Sequence, residues 1–302
     1  MQIYHHNDLT QFQGQNDLVL TIGIFDGCHL GHRLLFDEIK KMSQQLGAKS
    51  AVVTFNSADH KPRYRQINHP NLGERLLKEC GVEELHLLDF EQNIKDLSAE
   101  DFLNEILIKK FRTKGIVLGE DAQLGKNRST GAVEFLEKAS HQGLKTACVP
   151  LKQIGGEVIS SSRIRCHISS GHFSVVDDLL GYPFTIGGFV VKDQQKARKM
   201  GFPTANIPLL NTQYPPHGVY RCRICLDPCE QNEFKKAIAY VGTRPTLLPD
   251  SSEAFLEVHI PQWNGCLYDK YVEVSGLKFL RPEMKFSNID ELKSQIQVDL
   301  QN

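Results

Sequence analysis

The sequence predicts an α/β domain with a mostly parallel sheet, followed by a smaller closed β-barrel with a C-terminal helix. Three observations lead to this fold class. Strand-like apolar runs alternate with helical patterns through the first half, strand patterns then follow one another after residue 180, and a helical pattern returns at the end. We expect the first domain to comprise residues 1–178 and the second to comprise residues 179–302.

The first domain alternates strands and helices in the way expected of a parallel sheet that helices cover on both faces. The predicted strands comprise residues 18–25, 48–55, 85–90, 115–119 and 146–151. The predicted helices comprise residues 30–46, 72–80, 99–111 and 132–142. Because ligands of such sheets lie beyond the carboxyl ends of the strands, the residues that follow each strand are candidates for a site.

The second domain consists of strand patterns that turn-forming pairs such as Pro215-Pro216 and Asn264-Gly265 separate. The predicted strands comprise residues 184–192, 218–227, 236–242, 255–260 and 271–280, and the closing helix comprises residues 289–300. Five or six strands of this kind favour a closed barrel, because closure leaves no unpaired sheet edge.

The overall composition excludes several classes of protein. The 302 residues include 35 Lys and Arg against 36 Asp and Glu, so the chain lacks the basic excess typical of nucleic-acid binding. No apolar run approaches the roughly 20 residues of a membrane span, and the first residues do not resemble an export signal. Eight cysteines are too sparse for a disulfide scaffold. We expect a cytoplasmic protein that binds neither nucleic acid nor membrane.

The turn between the first predicted strand and the first predicted helix is the most informative segment. A helix start offers backbone N–H groups and a positive dipole end to an anion. His29 and His32 lie one turn apart there, so both imidazoles can donate to phosphate oxygens. A zinc pair and packing histidines are the alternatives, and the segment supplies no third zinc ligand. The candidate binding residues of this turn are Gly23, Phe25, Asp26, Gly27, His29, Gly31 and His32.

A segment rich in serine and arginine, Ile159-Ser-Ser-Ser-Arg-Ile-Arg165, follows the last predicted strand of the first domain and begins another helix. Hydroxyl groups and guanidinium forks both suit phosphate oxygens. Taken alone, such a segment is usually just a helix cap. The candidate phosphate-binding residues are Ser160, Ser161, Ser162 and Arg165.

The HxGH turn and the downstream ISSSRIR segment together resemble the HIGH-type nucleotidyltransferase superfamily. The longer string FDGxHxGH resembles the bacterial bifunctional riboflavin kinase/FAD synthetase family, and the resemblance extends from about residue 18 to residue 299. It implies that the first domain transfers AMP from ATP to FMN and releases pyrophosphate, with Mg²⁺ assisting. It also implies that His29 and His32 contact the ATP phosphates and that the serines and arginine of the second segment close over them.

The first domain departs from the family pattern at several places. The loop after the second strand, at Asn56–Asp59, lacks the usual PHP residues. In the segment Gly119–Gly131, Asp121 and Arg128 match the family and are candidate binding residues, whereas Ala122 and Leu124 replace two aromatic rings. The loss of those rings predicts weaker stacking against the flavin.

In the second domain, the string Met200-Gly-Phe-Pro-Thr-Ala-Asn206 resembles the GFPTAN motif of riboflavin kinases. The resemblance implies that Thr204 and Asn206 help to hold Mg²⁺ with ATP, and it makes Gly201 and Pro203 candidate binding residues. Read alone, the string is a turn that enters an edge strand. The preceding loop contains no glycine over Gln194–Ala197, where the family has a glycine-rich loop, which predicts a different hold on ATP.

Further candidates follow along the second domain. The predicted strand around Leu256-Glu-Val-His259 turns Glu257 and His259 to one face. The resemblance makes Glu257 the general base that accepts the proton of the riboflavin 5′-hydroxyl. A solvated strand residue is the alternative for Glu257. Arg244 and Arg281 are candidate binding residues near the nucleotide and the flavin.

Cysteines of the second domain offer a further alternative, because the spacing of Cys222, Cys225 and Cys229 is one that metal sites use. Cys222 and Cys225 would, however, face opposite sides of a strand. We therefore expect a bifunctional enzyme that makes FMN and then FAD, with riboflavin and FMN as substrates, ATP as co-substrate and Mg²⁺ as cofactor. The alternatives are an enzyme with only one active half, adenylyl transfer to another phosphate-bearing acceptor, and a non-catalytic flavin-binding protein.

Overall fold

The computed structural model describes residues 1–6, 9, 12–55, 65–89, 94–192, 204–209, 211–228, 233–245, 252–263, 265–284 and 286–301. The chain forms two compact units. The N-terminal unit comprises Met1–Arg63 and Gly73–Ser160, and the C-terminal unit comprises Tyr64–Leu72 and Ser161–Asn302. The domain boundary at 178/179 stays a prediction. Among the helices of the described residues, none has the length and apolar character of a membrane span.

The N-terminal unit contains a six-stranded, entirely parallel sheet with the strand order β1-β4-β3-β2-β5-β8. Its strands and a small hairpin are β1 (Gln2–His6), β2 (Leu18–Ile22), β3 (Lys49–Phe55), β4 (Glu84–Leu88), β5 (Thr113–Gly119), β6 (Gln123–Leu124), β7 (Thr130–Gly131) and β8 (Lys145–Val149). The helices are α1 (Leu30–Leu46), α2 (Pro70–Glu79), α3 (Ala99–Asp101) and α4 (Ala132–His141), of which α2 has its first three residues in the C-terminal unit. A second small hairpin follows, with β9 (Gln153–Ile154) and β10 (Glu157–Val158).

The central strand β2 explains where the first site lies. All five of its residues are buried, as expected of a strand that helices cover on both faces. The strand ends at Ile22, whereas the sequence predicts that it continues to residue 25. It ends earlier because the chain turns after it, at Gly27, which adopts a φ of 85°. Helix α1 begins three residues after that glycine and ends at Gly47, whose left-handed backbone lets its N–H bond to Ser43 O.

Two elements of the N-terminal unit differ from the sequence prediction. Strand β1 was not predicted, because its residues are mostly polar and their alternation is weak. The helix predicted over residues 99–111 is α-helical only in α3 and continues as a π-helix over Phe102–Ile108. The bulky residues of that π-helix, including Phe102 and Leu107, are buried in the core, so side-chain packing sets the backbone form there.

The C-terminal unit is a nearly closed barrel of six antiparallel strands with the order β11-β16-β13-β14-β15-β12. The strands are β11 (Thr185–Phe189), β12 (Thr204–Pro208), β13 (Gly218–Cys225), β14 (Phe234–Pro245), β15 (Ser252–His259) and β16 (Tyr271–Arg281). Helices α5 (Ser161–Ser169) and α6 (Phe173–Leu180) precede the barrel, and α7 (Ile289–Gln301) follows it. An antiparallel bridge between Val191 and Asn206 joins the two edges of the sheet.

A short segment from the first half of the sequence belongs to the C-terminal unit, and sequence reasoning missed it. The Gln66 N–H donates to Asn211 O at 2.6 Å, and the Gln213 N–H donates to Gln66 O at 2.7 Å. Asn68 exchanges hydrogen bonds with the Tyr182 hydroxyl at 2.9 and 3.2 Å. Backbone pairing with residues almost 150 positions away leaves no local sequence signal.

Candidate active sites

The first candidate site lies at the start of helix α1. The rings of His29 and His32 stack with their centroids 3.6 Å apart, and Phe25 meets His32 edge-on at 5.2 Å. A Cβ atom on Gly31 would lie 3.1 Å from His29 Cε1 and 4.0 Å from Ile159 O. Glycine at this position therefore makes room for the imidazole beside the strand end that leads to Ser160.

His29 is also the N-cap of helix α1. Its Nδ1 accepts the backbone N–H of His32 at 3.3 Å. Because Nδ1 is an acceptor, the neutral ring carries its proton on Nε2 and presents that N–H as a donor. The first turn of α1 contains no acidic residue, so nothing there opposes the attraction of the helix dipole for an anion.

Burial keeps both imidazoles of this pair neutral. It lowers the pKa of His29 to about 4. Burial also holds the pKa of His32 well below its usual value, and the neighbouring His29 lowers it further. The Nδ1 atom of His32 is sealed from solvent and has no hydrogen-bond partner within the described part of the chain. A buried nitrogen without a partner is costly, and a ligand group that reached it would recover that cost.

The remaining candidates of the N-terminal unit lie around the sheet edge. Asp121 is exposed just before the β6–β7 hairpin, and Arg128 is exposed in the turn that connects its two strands, where it has a positive φ of 56°. Leu124, one of the residues that replace aromatic rings of the family, points into the hydrophobic core, and Ala122 packs against the same core. Neither side chain therefore offers a stacking surface for a flavin.

The serine segment divides between the units. Ser160 ends the N-terminal unit, whereas Ser161, Ser162 and Arg165 lie on the first two turns of α5 in the C-terminal unit. Arg165 is half-buried, and Ser162 is exposed.

The second candidate site lies on neighbouring strands of the barrel. Thr204 Oγ1 donates a hydrogen bond to Glu257 Oε1 at 2.7 Å. Asn206 on β12 lies directly opposite Glu257 on β15, and Thr204 lies opposite His259. Directly opposed residues of antiparallel strands share a face with their Cβ atoms about 5 Å apart. The pleat of the sheet therefore brings the hydroxyl, the amide and the carboxylate to one small area.

Other predicted residues of the barrel have different surroundings. Arg281 donates a fork of hydrogen bonds to Asp299 on α7, the shortest from Nη2 to Oδ2 at 2.8 Å, and so anchors the C-terminal helix. Gly201 and Pro203 lie outside the described residues, as do Asn56–Asp59 and Gln194–Ala197. Arg244 lies on β14, and its side chain is outside the described part of the structure.

The cysteines Cys222 and Cys225 are buried in the barrel wall, and Cys229 lies outside the described residues. The thiol of Cys222 bonds to Ala237 O at 3.5 Å, and burial raises its pKa to about 12. Within the described residues, no group of three His, Cys, Asp or Glu side chains is arranged to hold a metal ion.

Comparison with known proteins assigns the chain to a family. The FAD synthetase family matches residues 11–163, and the riboflavin kinase family matches residues 180–302. The chain belongs to the bifunctional riboflavin kinase/FMN adenylyltransferase family. Relatives of that description in Pseudomonas fluorescens and Escherichia coli strain K12 are 32% and 33% identical, over 93% and 94% of this chain and 90% and 91% of their own lengths.

One solved structure is similar over its whole length. It is a crystal structure described as a macrolide-efflux protein from Streptococcus pneumoniae, with a TM-score of 0.82, 32% identity, and coverage of 100% of this chain and 98% of that one. The two chains therefore share one fold over both halves. The activity in that description is attached to the Streptococcus pneumoniae protein and not to this one.

Sequence reasoning missed two features of this family member's sites. The first is the N-cap role of His29, which depends on ring orientation and leaves no separate sequence signal. The second is Tyr240 on β14, which lies directly opposite Glu257 in the strand register. The alternation of the predicted strand 236–242 contains a signal for Tyr240, but the pairing of β14 with β15 is needed to place it beside Glu257.

Proposed function

We propose that the two reactions of this enzyme use the two separate sets of residues described above. The enzyme is a riboflavin kinase and an FMN adenylyltransferase, which forms FMN from riboflavin and FAD from FMN with ATP as co-substrate. The observation that carries the residue assignment is the hydrogen bond from Thr204 to Glu257 beside Asn206. It joins, on one face, a base and two oxygen ligands of the kind that phosphoryl transfer needs.

In the kinase reaction, Glu257 accepts the proton of the riboflavin 5′-hydroxyl as that oxygen attacks the γ-phosphate of ATP. A half-buried carboxylate can perform this role if it lies within hydrogen-bond reach of the attacking hydroxyl. The donated hydrogen bond from Thr204 holds the carboxylate in one orientation. Most of the acceleration then comes from positioning and from stabilisation of the phosphate charge.

The oxygen atoms of Thr204 and Asn206 fit Mg²⁺. Magnesium prefers hard oxygen ligands, uses few protein groups and completes its shell with phosphate oxygens and water. The Thr204 hydroxyl donates its hydrogen bond to Glu257, so the lone pairs of its oxygen can coordinate a cation. Asn206 is buried and holds its side chain on the same face. Bound with ATP, Mg²⁺ would neutralise charge on the phosphates.

In the adenylyltransferase reaction, the FMN phosphate attacks the α-phosphate of ATP, and pyrophosphate leaves with growing negative charge. The Nε2–H of His29 and the ring of His32 stabilise that charge at the start of helix α1. Neutral donors that the fold already holds in place need no reorganisation when the charge appears. The exposed Asp121 and Arg128 border the acceptor. Ser160, which ends the same unit, contacts the nucleotide phosphates.

A product assay tests this scheme. The full-length enzyme is incubated with riboflavin, ATP and Mg²⁺, and in parallel with FMN, ATP and Mg²⁺, and the flavins are separated by chromatography. We expect FMN and then FAD in the first mixture and FAD in the second. FMN without FAD would mean an inactive adenylyltransferase, and FAD from FMN alone an inactive kinase. Flavin binding without ATP turnover would mean a carrier protein. We also assign the enzyme to the cytosol, where ATP is abundant for both reactions.

A further inference from the structure

Tyr240 occupies a position beside the proposed base that no assigned role explains. It lies on β14 directly opposite Glu257 on β15, and Asn206 on β12 flanks Glu257 on the other side. Opposed residues of antiparallel strands emerge on the same face, so the phenol starts about 5 Å from the carboxylate side chain. The face that carries the kinase residues thus continues across β14 to an aromatic hydroxyl.

The backbone of Gly242 determines where the ring of Tyr240 lies. A Cβ atom on Gly242 would be 2.3 Å from the hydroxyl oxygen of Tyr240 and 2.5 Å from Cζ. Any side chain at this position would therefore displace the phenol. Phe255, which lies directly opposite Gly242, meets the Tyr240 ring edge-on at 5.7 Å. The ring consequently lies along the sheet surface and does not project into solvent.

The hydroxyl of Tyr240 reaches a different part of the barrel. It donates a hydrogen bond to Glu283 Oε1 at 2.8 Å. Glu283 belongs to residues 282–284, which follow strand β16, and strand β13 separates β16 from β14 in the sheet. The bond therefore links two strands that are not neighbours in the sheet, close to the start of β13. The fork between Arg281 and Asp299 fixes the preceding end of the same segment to helix α7, so the segment is fixed at two points.

We propose that Tyr240 is a positioning residue of the kinase reaction: its hydroxyl holds residues 282–284 beside the face that carries Glu257, and this segment forms the wall that guides the ribityl end of the flavin substrate to the base. The inference rests on the proposed role of Glu257. Without the hydrogen bond, the segment samples positions in which the wall is absent. Substrate binding must then include the cost of ordering it. The chemical groups themselves remain in place.

The variant Y240F tests the proposal, because it removes the hydroxyl and keeps the ring that packs on Gly242 and Phe255. We expect the KM for riboflavin to rise about fivefold to tenfold while kcat changes less than about twofold, since the lost bond orders a binding wall and makes no contact in the transition state. E283A should give the same rise. E283Q keeps an acceptor oxygen and should return most of the wild-type KM. FAD formation from FMN serves as the internal control.

Two further comparisons separate positioning from general stability. The KM of the double variant Y240F/E283A for riboflavin should be no higher than that of either single variant, because both substitutions remove the same hydrogen bond. Y271F removes a different phenol–carboxylate bond of the barrel, from Tyr271 to Glu273 at 3.3 Å, and should leave the KM for riboflavin unchanged. Additive effects of Y240F and E283A, or an equal KM shift in Y271F, would overturn the inference.

The remaining outcomes distinguish this inference from the proposed function. If the wild type phosphorylates riboflavin and Y240F has the same KM and kcat, the inference on Tyr240 is wrong and the assignment of Glu257 is unaffected. If a folded Glu257→Gln variant retains the wild-type rate, the role of the base is wrong, and with it the wall that this inference places beside that base. A fall in kcat of Y240F with an unchanged KM would also overturn the positioning role.

Discussion

The two candidate sites, both proposed to act on the phosphates of ATP, differ in their electrostatics. At the start of α1, two stacked histidines are neutral because burial lowers their pKa values, and the helix supplies the positive field. On the barrel, a half-buried carboxylate accepts a hydrogen bond from Thr204 beside Asn206. The first arrangement suits the stabilisation of charge on a leaving group, and the second suits a base beside a cation.

The difference follows from the elements on which each site is built. A helix start offers unpaired N–H groups, so a site there requires donors and space but no fixed charge. Adjacent antiparallel strands have no unpaired backbone groups in their centre, so their site must come from side chains that the pleat sets side by side. Because the two sites share no residue, changes in one should leave the reaction of the other intact.

The largest expected effect is on the barrel site. Glu257→Gln removes the base and keeps the shape of the side chain, so FMN formation should fall by about 10²–10⁴-fold. FAD formation from supplied FMN should remain within about twofold of wild type. Glu233→Gln, which changes an exposed carboxylate of the same unit that pairs with Lys235, is the matched control for loss of one charge. Equal loss of both activities in a folded Glu257→Gln variant would contradict separate sites.

The elements of the fold that the sequence predicts well are those with strong local patterns. Helix α1 has the predicted bounds, and the buried strands of the parallel sheet occur where apolar runs predict them. The sequence predicts at strand β12 only a turn that enters an edge strand, because Thr204–Pro208 is short and ends in a proline. Its partner β15, some fifty residues later, determines its conformation, and local patterns contain no information of that kind.

The candidate sites divide in the same way between local and distant information. The types and spacing of His29 and His32 are visible in the sequence, as are the family motifs around Thr204 and Glu257. The stacking of the two rings and the unpaired His32 Nδ1 depend on packing from several elements. The ion pair of Arg281 with Asp299 similarly joins a strand end to a helix. The sequence thus identifies candidate site residues such as His32 and Arg281. It does not identify the distant residues that pack on them or bond to them.

The next effect concerns His29 and separates its role as a donor to phosphate from its role as the N-cap of α1. His29→Ala removes the Nε2–H donor and the N-cap, so FAD formation should fall by about 10²–10³-fold. The lost cap should also destabilise the N-terminal unit by about 1 kcal/mol. FMN formation should be unaffected.

His29→Asn is the matched control for the cap, because asparagine is a favourable N-cap residue whose side chain is too short to replace Nε2. It should restore the stability of α1, measured by thermal unfolding, without restoring FAD formation. Recovery of the activity in His29→Asn would show that His29 acts only as a helix cap.

A smaller effect concerns the hydrogen bond within the barrel site. Thr204→Val keeps the β-branched shape and removes the hydroxyl that donates to Glu257 at 2.7 Å. FMN formation should fall about tenfold to a hundredfold, the range for a lost hydrogen bond to a charged group. Thr204→Ser keeps a hydroxyl and should stay close to wild type. A Val variant as active as the Ser variant would mean that the hydroxyl neither orients Glu257 nor binds the cation.

The N-terminal unit contains a second histidine cluster that sharpens the contrast between site and scaffold. His6 Nε2 lies 2.9 Å from His86 Nδ1, and His86 Nε2 lies 3.2 Å from Glu84 Oε2. All three side chains are buried, and Lys49 donates to Glu84 at 3.1 Å. Burial lowers the pKa of both rings. With both rings neutral, His86 Nε2 donates to the carboxylate and His86 Nδ1 accepts from His6 Nε2. Unlike His32, this cluster is already satisfied.

The smallest expected effect is a loss of stability in acid that both histidine clusters share. Burial lowers the pKa of His6 to about 4, with the neighbouring His86 and His5 contributing, and burial lowers that of His29 to about 4. In the unfolded chain, His6 and His29 each bind a proton as the pH falls through about 6.5. In the folded unit, they bind it only as the pH falls to about 4. The unfolded state therefore binds more protons between these values, and the free energy of unfolding falls as the pH drops through this window.

Between pH 7 and pH 5 each of the two histidines should reduce the free energy of unfolding of the N-terminal unit by about 1–2 kcal/mol. Hydrogen exchange of peptides that cover β1 and β4 measures this loss, with peptides of β14 and β15 as the reference. His6→Gln removes one of these titrating groups and should flatten the pH dependence. Triphosphate binding places negative charge beside His29 and His32 but not beside His6, so saturating ATP should raise the pKa of the pair at α1 and not that of His6. A pH dependence that ATP leaves unchanged would mean that His29 does not contact the phosphates, and that the two histidine clusters do not differ in the way that their geometry indicates.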